Sequence, residues 1–268
     1  MEHGLLTPIL EVEGVTAGDM GAGKVIGPEN FYIDGENIYV LASEDKELLY
    51  FNNGELIKNY NLDYMNYPTV VKVNNNSIYI LDGRAKLYEL NRDGVVLYED
   101  IIKPEKDKWP RVKDIRFDKY GKPILINYDD SAIKLKKDSK EEEFIGLYFE
   151  NSEGISFKIK DGKVVSPDSD FELKIKSLGS GASNRELLYI DKNDNFYVSV
   201  FENGLRTLRK YDWQGKLIGI CKLPSDIDKI VHYPGKPTIV KDMNNIFTMI
   251  NYKGKTVIYK VQLGKELY

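Results

Sequence analysis

One unit of four short strands recurs along this chain and constrains its fold more than any other feature. The clearest copy is RELLYIDKNDNFYVSVFENGLRTLRKYDWQGKLIGI, residues 185–220. Its apolar and aromatic residues alternate with polar ones in four runs, which predicts half-buried strands at 187–191, 196–200, 207–212 and 216–220. Lys-Asn-Asp-Asn and Trp-Gln-Gly separate two pairs of these runs, and both have the composition of tight turns.

Six copies of the unit can be aligned through their second strands. The mean spacing of about 42 residues between them is typical of propeller blades. The aligned residues are Tyr39, Tyr79, Ile124, Ser156, Tyr197 and Phe247. The interval between the third and fourth copies is short, which predicts that one of these two blades lacks a proper outer strand. An alternative register begins the fourth blade at Gly154.

The two ends of the chain are expected to meet in the last blade. The sixth copy has three strands before Tyr268, and an isolated strand, Leu5 to Val12, precedes a Gly-rich connection at 14–27. We expect this strand to complete the sixth blade, because radial closure leaves only short, protected sheet edges. No segment keeps a helical period. The sequence therefore predicts an all-β fold, a six-bladed β-propeller closed by its N-terminal strand.

An all-β propeller can use all 268 residues as a single domain. The blades are predicted at about 28–62, 68–102, 111–143, 144–178, 185–223 and 236–263, with the strand 5–12 added to the last. The acidic run at 138–143 and the segment SLGSGASNR at 177–185 are predicted loops.

Charge and hydropathy exclude several kinds of partner. With 38 Lys and Arg against 42 Asp and Glu, the chain has no basic excess for nucleic acid. No apolar run approaches the roughly 20 residues of a spanning helix, so we expect a soluble monomer without membrane insertion. The N-terminus lacks a signal-peptide pattern, and the single Cys221 excludes an internal disulfide. An extracellular or cell-surface location, with a signal removed, is favoured over a cytoplasmic one.

Short motifs in the first and fifth copies resemble those of NHL-type six-bladed propellers. They are Gly27-Pro28, Phe31-Tyr32-Ile33-Asp34, Asn37-Ile38-Tyr39-Val40, Tyr189-Ile190-Asp191, Asn195-Phe196-Tyr197-Val198 and Tyr211-Asp212 followed by Gly215. The resemblance implies NHL repeats and the propeller fold over nearly the whole chain. Copies three and four lose most of the pattern, and Asn replaces Gly in several turns.

Two loops resemble binding motifs but lack a residue that the chemistry needs. Gly18 to Lys24 fits the first seven positions of a phosphate-binding loop, but Val25 replaces the hydroxyl residue and a strand follows. This favours a linker. Asp191 to Asn195 resembles the opening of a calcium loop, but Phe196 stands where that loop needs Gly. A hairpin turn is the favoured interpretation, because Asn and Asp tolerate left-handed backbone.

No assembled catalytic set is recognisable. The inventory of His3, His232 and Cys221 cannot build a Cys/His metal cluster, and a lone His is usually a surface or hydrogen-bonded residue. No Gly-x-Ser-x-Gly motif occurs. Cys221 lies in the predicted strand LIGICKL and is expected to be a buried, small apolar residue.

Three aromatic-proline pairs, Tyr67-Pro68, Trp109-Pro110 and Tyr233-Pro234, precede first strands. In a propeller these connections share one face with the loops between second and third strands, and aromatics with Arg are typical of binding surfaces. The predicted ligand-binding residues are Tyr67, Trp109, Arg111, His232, Tyr233 and Arg84. The same face is expected to hold Tyr64, Glu44, Asp45, Asp129, Asp130, Glu202 and Lys253. In the alternative interpretation, Pro fixes the chain direction and the aromatic packs against the next blade.

These observations predict a non-catalytic propeller, without a cofactor, that presents this face to a protein, peptide or glycan partner. It fits a module of a secreted or surface protein. The alternative is a metal-dependent lactonase- or esterase-like enzyme with Ca²⁺ or another divalent cation in the central channel. Its oxygen ligands would come from Asp82, Asn127, Asp129, Asp242 and Asn251. Gluconolactonase-type propellers have a Glu with the Gly-Pro motif, but here Glu29 follows Gly27-Pro28, so no catalytic residue is assigned.

Overall fold

All regular structure in the described part of the chain is β-strand, and six four-stranded sheets form the blades of a six-bladed β-propeller. This confirms the predicted fold class. The computed structural model describes residues 4–13, 15, 18–19, 25–83, 86–102, 112–118, 120–128, 131–135, 142–147, 149–176, 183–202, 205–222, 238–241, 244–252 and 255–264. Across these ranges there is no helix long and apolar enough to cross a bilayer.

Three strands precede the first blade: β1 (Leu5–Val12), β2 (Gly18–Asp19) and β3 (Val25–Ile26). The short strands β2 and β3 pair with each other inside the segment that was expected to be a linker.

The chain then divides into two compact units, the first of which contains blades 1–3 in residues 26–146 and also residues 14–17. Blade 1 consists of β4 (Asn30–Asp34), β5 (Asn37–Ala42), β6 (Glu47–Asn52) and β7 (Glu55–Asn61). Blade 2 consists of β8 (Pro68–Asn74), β9 (Ser77–Asp82), β10 (Lys86–Asn91) and β11 (Val96–Ile101). Blade 3 consists of β12 (Val112–Phe117), β13 (Pro123–Asn127), β14 (Ser131–Leu135) and β15 (Glu142–Leu147).

The second unit contains blades 4–6. Blade 4 consists of β16 (Phe149–Glu150), β17 (Ser156–Lys160), β18 (Lys163–Val165) and β19 (Glu172–Lys174). Blade 5 consists of β20 (Ser183–Ile190), β21 (Phe196–Glu202), β22 (Leu205–Tyr211) and β23 (Leu217–Lys222). Blade 6 consists of β24 (Thr238–Val240), β25 (Ile246–Tyr252), β26 (Lys255–Gln262) and the strand β1.

Strand β1 is the outer strand of blade 6, as the sequence predicted. It pairs antiparallel with β26 from Leu5 opposite Gln262 to Val12 opposite Thr256. The register shifts between Pro8 and Leu10, where the ring nitrogen of Pro has no hydrogen to donate to the ladder. Leu10 and Val12 are buried, so the strand contributes core side chains as well as backbone hydrogen bonds.

Blades 3 and 4 both have four strands, so the expectation that one lacks its outer strand is wrong. Blade 4 fits into its short interval because its strands are only two to five residues long. The outer strand of blade 3, β15, begins with Glu142 and Glu143, which belong to the acidic run that was expected to be a loop. Likewise, Ser183 to Arg185 lie in β20 and not in a loop.

A five-residue turn that begins with Asn or Asp joins strands in four blades. The backbone N–H of its first residue donates to the carbonyl four positions later, and its side-chain oxygen accepts from the N–H of that same later residue. The first residues are Asn91, Asp118, Asn151, Asp191 and Asp212. Such local bonding explains why these residue types recur between the strands.

The core lies between the faces of neighbouring blades. Between blades 1 and 2, Tyr39 and Leu41 of β5 pack with Val71 of β8 and Ile80 of β9 in one buried cluster. The same cluster takes in Leu62 and Met65, which belong to the connection between the two blades. That connection is therefore held in place by packing as well as by its backbone.

Candidate binding face

Residues 62–67 connect β7 to β8 and separate buried from exposed side chains. Leu62 and Met65 are buried, and Tyr64 and Tyr67 are 47% and 40% exposed. The backbone N–H of Leu62 donates to the carbonyl of Lys46 at 2.8 Å, and the N–H of Met65 donates to the carbonyl of Leu62 at 2.8 Å. The connection is thus a fixed turn that places both tyrosines at the surface.

Asp82, at the end of β9, holds the backbone of this connection. Its buried carboxylate accepts hydrogen bonds from the N–H of Asn66 at 3.0 Å and from the N–H of Tyr67 at 2.6 Å. The N–H of Gly83 returns a bond to the carbonyl of Tyr67 at 2.9 Å. A buried carboxylate that accepts backbone donors forms charge-assisted bonds, so the position of Tyr67 is firmly set by blade 2.

The side chain of Tyr67 reaches back to blade 1, where its hydroxyl donates a hydrogen bond to the carboxylate of Glu29. Glu29 is itself held next to β5, because its N–H donates to the carbonyl of Leu41 at 3.0 Å. The hydroxyl of Ser43 donates to the carbonyl of Pro68, so the β5–β6 loop contacts the same connection. Tyr67 therefore presents an exposed ring whose two ends are both anchored.

The side chain of Tyr64 contacts blade 2. Its ring meets the ring of Tyr88 edge-on, with 5.7 Å between the centroids and an angle of 71°. Burial and the neighbouring phenol of Tyr88 raise the pKa of Tyr64 above its ordinary value. The exposed part of this ring is available for contact with a partner.

Of the six predicted ligand-binding residues, the structure describes Tyr67. The other five, Arg84, Trp109, Arg111, His232 and Tyr233, lie outside the described residues, as do Asp129, Asp130 and Lys253. Glu44 is exposed and Asp45 partly buried in the β5–β6 loop, next to the 62–67 connection. The structure therefore brings Tyr64, Tyr67, Glu44 and Asp45 together on one face.

Glu202 does not belong to an exposed face, contrary to the prediction. Its side chain is buried and pairs with the guanidinium of Arg209, which is fully buried. Arg209 also donates through Nε to the hydroxyl of Thr207 at 2.8 Å and through Nη1 to the carbonyl of Lys176. A buried charge needs such a partner, and here it lies on the next strand of the same blade.

Of the two described residues proposed as metal ligands, Asp82 has both carboxylate oxygens bonded to backbone N–H groups. The side-chain nitrogen of Asn127 donates to the hydroxyl of Ser131 at 2.9 Å, and its Oδ1 is buried and accepts no hydrogen bond from the described residues. Asp129, Asp242 and the side chain of Asn251 lie outside the described residues. Where the structure is described, no three His, Cys, Asp or Glu side chains gather in a metal-binding group.

A charged cluster on the first strands of blades 1–3 was missed at the sequence level. The ammonium of Lys72 lies 3.1 Å from Asp114 Oδ1 and 5.9 Å from the ring centroid of Tyr32. Arg116 Nε lies 2.7 Å from Asp114 Oδ2. Burial raises the pKa of the Asp114 carboxyl, but the charges of Arg116 and Lys72 outweigh it and hold that pKa below its usual range. A lysine inside the apolar run PTVVKVN was the available signal.

No protein-family model matches the chain, and no curated protein matches its sequence. Among solved structures, a DUF4221 family member from Bacteroides vulgatus has a TM-score of 0.60 and 9% identity, covering 99% of this chain and 98% of its own.

A catalytically inactive virginiamycin B lyase from Staphylococcus aureus with quinupristin has a TM-score of 0.57 and 11% identity. The match covers 96% of this chain and 99% of the lyase chain. The structure of YCF48 bound to D1 peptide has a TM-score of 0.51 and 13% identity. The match covers 90% of this chain and 79% of the YCF48 chain. Identities this low show a shared fold alone.

Proposed function

We propose that this chain is a non-catalytic binding module that presents the face around Tyr64 and Tyr67 to a protein, peptide or glycan partner. The proposal includes assignment to the NHL-type propellers, which the strand motifs Phe31 to Asp34 and Asn37 to Val40 support. It also includes a monomeric state, an absence of cofactor and a place in a secreted or surface protein.

The observation that carries the proposal is the anchoring of an exposed tyrosine. Tyr67 is held by Asp82 through its backbone and by Glu29 through its hydroxyl, although its ring is 40% exposed. Binding to a rigid aromatic side chain costs little conformational entropy, and tyrosine is over-represented among residues that dominate binding energy.

The structural neighbours are consistent with this proposal and do not decide it. One propeller of similar fold is bound to a peptide and another is a lyase, and one fold commonly supports unrelated functions. The choice of a binding function rests on the geometry of this chain's own residues.

Removal of both exposed rings tests the proposal. The variant Tyr64→Ala/Tyr67→Ala is to be compared with the natural protein on a glycan array and on a phage-displayed library of random dodecapeptides. We expect ligands of the natural protein to bind the variant at least about tenfold more weakly, because well-packed tyrosines dominate many interfaces.

The control is Tyr120→Ala, which removes an even more exposed ring from the Asp118 turn. The control should keep full binding, and both variants should melt within a few degrees of the natural protein. Ligands that bind the double variant as tightly as the natural protein would disprove the proposed face. A collapse in melting temperature of the double variant would show instead that these rings are structural.

A further inference from the structure

We propose that the face of blade 5 that packs against blade 4 binds a small anion, either chloride or an oxyanion of the size of phosphate. The site is formed by Arg185 of β20 and by Arg209 and Tyr211 of β22, and we call it the arginine–tyrosine site. It lies within the second compact unit, and the inference does not depend on the proposed binding function.

The strand register places all three side chains on the side of blade 5 that meets blade 4. Arg185 is opposite Val200 in the β20–β21 ladder, and cross-strand partners share a face. Val200 and Tyr211 both belong to the buried cluster that blades 4 and 5 share. Arg209, two positions before Tyr211, lies on the same side of β22. Arg185 also contacts blade 4 directly, because its Nη1 donates to the carbonyl of Gly162 at 2.7 Å.

Two donors on this face are buried without an acceptor. Tyr211 is only 1% exposed, and among the described residues its hydroxyl has no hydrogen-bond partner. Nε of Arg185 is buried too, and no acceptor reaches it in the described part of the chain. Most buried polar groups in native proteins are paired with protein, with ordered water or with an ion. Two unpaired donors on one face therefore indicate a bound species between the blades.

The groups around the Tyr211 hydroxyl are themselves donors. Burial raises the pKa of Tyr211, and the guanidinium groups of Arg209 and Arg185 and the backbone N–H of Lys176 oppose this rise. These groups are near enough to act on the hydroxyl, although none of them forms a hydrogen bond of normal geometry with it. A hydroxyl among donors lacks an acceptor for its own proton, and a guanidinium cannot supply one.

The charges on this face do not cancel. Arg209 is fully buried, and the carboxylate of Glu202 on the adjacent strand neutralises it. Within the described ranges Arg185 has no carboxylate partner, so two guanidinium groups and one carboxylate leave an excess positive charge. The neighbouring sequence segments 177–184 and 203–205 contain no Asp or Glu. An anion that accepts from Arg185 and Tyr211 satisfies both donors and balances the charge, whereas a water molecule satisfies the donors alone.

Reversible urea denaturation at pH 7 tests the site. The natural protein is compared in phosphate, sulfate, chloride and the bulky anion gluconate, all as sodium salts at one ionic strength. We expect the urea midpoint to be higher in at least one of the three small anions than in gluconate, because an ion that binds only the folded state stabilises it by mass action. The order of the three anions distinguishes chloride from an oxyanion.

Tyr211→Phe removes the hydroxyl alone and should lose at least half of this rise. Arg185→Lys, which keeps the charge but removes Nε, should lose part of it as well. In gluconate Tyr211→Phe should be at least as stable as the natural protein, because it removes a buried, unpaired hydroxyl.

The matched control is Tyr197→Phe, which removes a fully buried hydroxyl of the same blade that donates to Asp191 at 3.2 Å. This variant should be less stable in every salt and keep the full rise. General stabilisation by excluded anions acts on all the proteins alike. An equal rise in the natural protein and all three variants would therefore overturn the proposal. The absence of any rise in the natural protein would also overturn it and leave ordered water as the bound species.

Discussion

Asp191 uses its carboxylate entirely within blade 5. It accepts the N–H groups of Asn193 at 2.9 Å and Asn195 at 3.1 Å, and the hydroxyl of Tyr197 at 3.2 Å. The ammonium of Lys210 lies 3.1 Å from Oδ2. Burial raises the pKa of this carboxyl, but the hydrogen bonds from Asn195, Asn193 and Lys210 outweigh it and lower the pKa below its usual value. The carboxylate is thus a structural anchor of the hairpin.

The lowered pKa of Asp191 predicts a specific dependence of stability on pH. The folded state binds the proton more weakly than the unfolded state, whose pKa is near 3.8, so the stabilisation is complete well above that value. It is lost as the pH falls through the lower, folded pKa. We expect Asp191→Asn to reduce the free energy of unfolding at pH 7 by about 1–3 kcal/mol.

Urea denaturation between pH 2 and pH 7 measures this effect. The difference in stability between the natural protein and Asp191→Asn should be constant near neutrality and should shrink below pH 4. The control, Asp170→Asn, changes an exposed carboxyl of the β18–β19 connection and should leave the curve unchanged. A difference that stays constant down to pH 2 would refute the assigned role of the carboxylate.

Residues that bond locally were predictable, and residues that pair across strands were not. The hairpin turn predicted at Asp191 is confirmed, because Asn and Asp between two strand patterns form local hydrogen bonds. Cys221 is buried as expected, and burial raises its pKa to about 11. Glu202 was misjudged because nothing in the sequence shows that Arg209, seven residues on, turns back to meet it.

At the scale of elements, the β17–β18 hairpin depends on a glycine for contact between blades 4 and 5. Gly162 has a φ of +73°, and a Cβ at this position would lie 1.6 Å from Nη1 of Arg185. That same nitrogen donates to the carbonyl of Gly162 at 2.7 Å. The bare glycine lets the guanidinium of β20 lie across the turn.

We expect Gly162→Ala to destabilise the protein by more than Gly154→Ala does. Both glycines have a positive φ, but a Cβ at Gly154 meets no atom within 4 Å. Gly154→Ala therefore measures the backbone penalty alone, about 1 kcal/mol, and the excess at Gly162 measures displacement of Arg185. The comparison is made by urea denaturation.

The double variant Gly162→Ala/Arg185→Ala provides the check on this assignment. In the Arg185→Ala background the extra cost of Gly162→Ala should fall to that of Gly154→Ala, because the clashing group is gone. Costs that are simply additive would show that the guanidinium plays no part.

The alternation of apolar and polar residues was enough to predict how many blades the chain has and that its elements are strands. It was not enough to predict the lengths of the strands in blades 3 and 4. Each residue of the alignment from Tyr39 to Phe247 lies in the second strand of its blade. In blade 4, however, strands of two or three residues are too short to show an alternating pattern. The acidic start of β15 was misread because three consecutive carboxylates resemble a solvated loop.

At the scale of the whole molecule, closure of blade 6 depends on β1. Deletion of residues 1–12 removes the partner of β26 and the buried side chains of Leu10 and Val12. We expect the melting temperature to fall by roughly 5 °C or more, since each kcal/mol is worth about 2–4 °C in a protein of this size. Differential scanning calorimetry makes the comparison.

Deletion of residues 1–4 is the matched control, because it leaves the ladder from Leu5 onward intact. Equal melting temperatures for the long deletion and the natural protein would contradict the role of β1 in closure.

The closure was predictable because the sixth copy had three strands and one strand was left over. The inter-blade contacts of the candidate face, such as Tyr67 with Glu29, were not, since they join residues far apart in sequence.

The pairing of β1 with β26 also sets an order of events during synthesis. Leu5 is made before any of the blades, and its partner Gln262 is added only after blades 1–5 have been made. At about 5–20 residues per second, β1 waits for on the order of tens of seconds before its partner exists. Blades 1–5 take all their strands from contiguous sequence and can form as they leave the ribosome. Blade 6 alone joins two distant segments of the sequence, so until β26 is made β1 is an unpaired strand open to chaperones or to a neighbouring nascent chain.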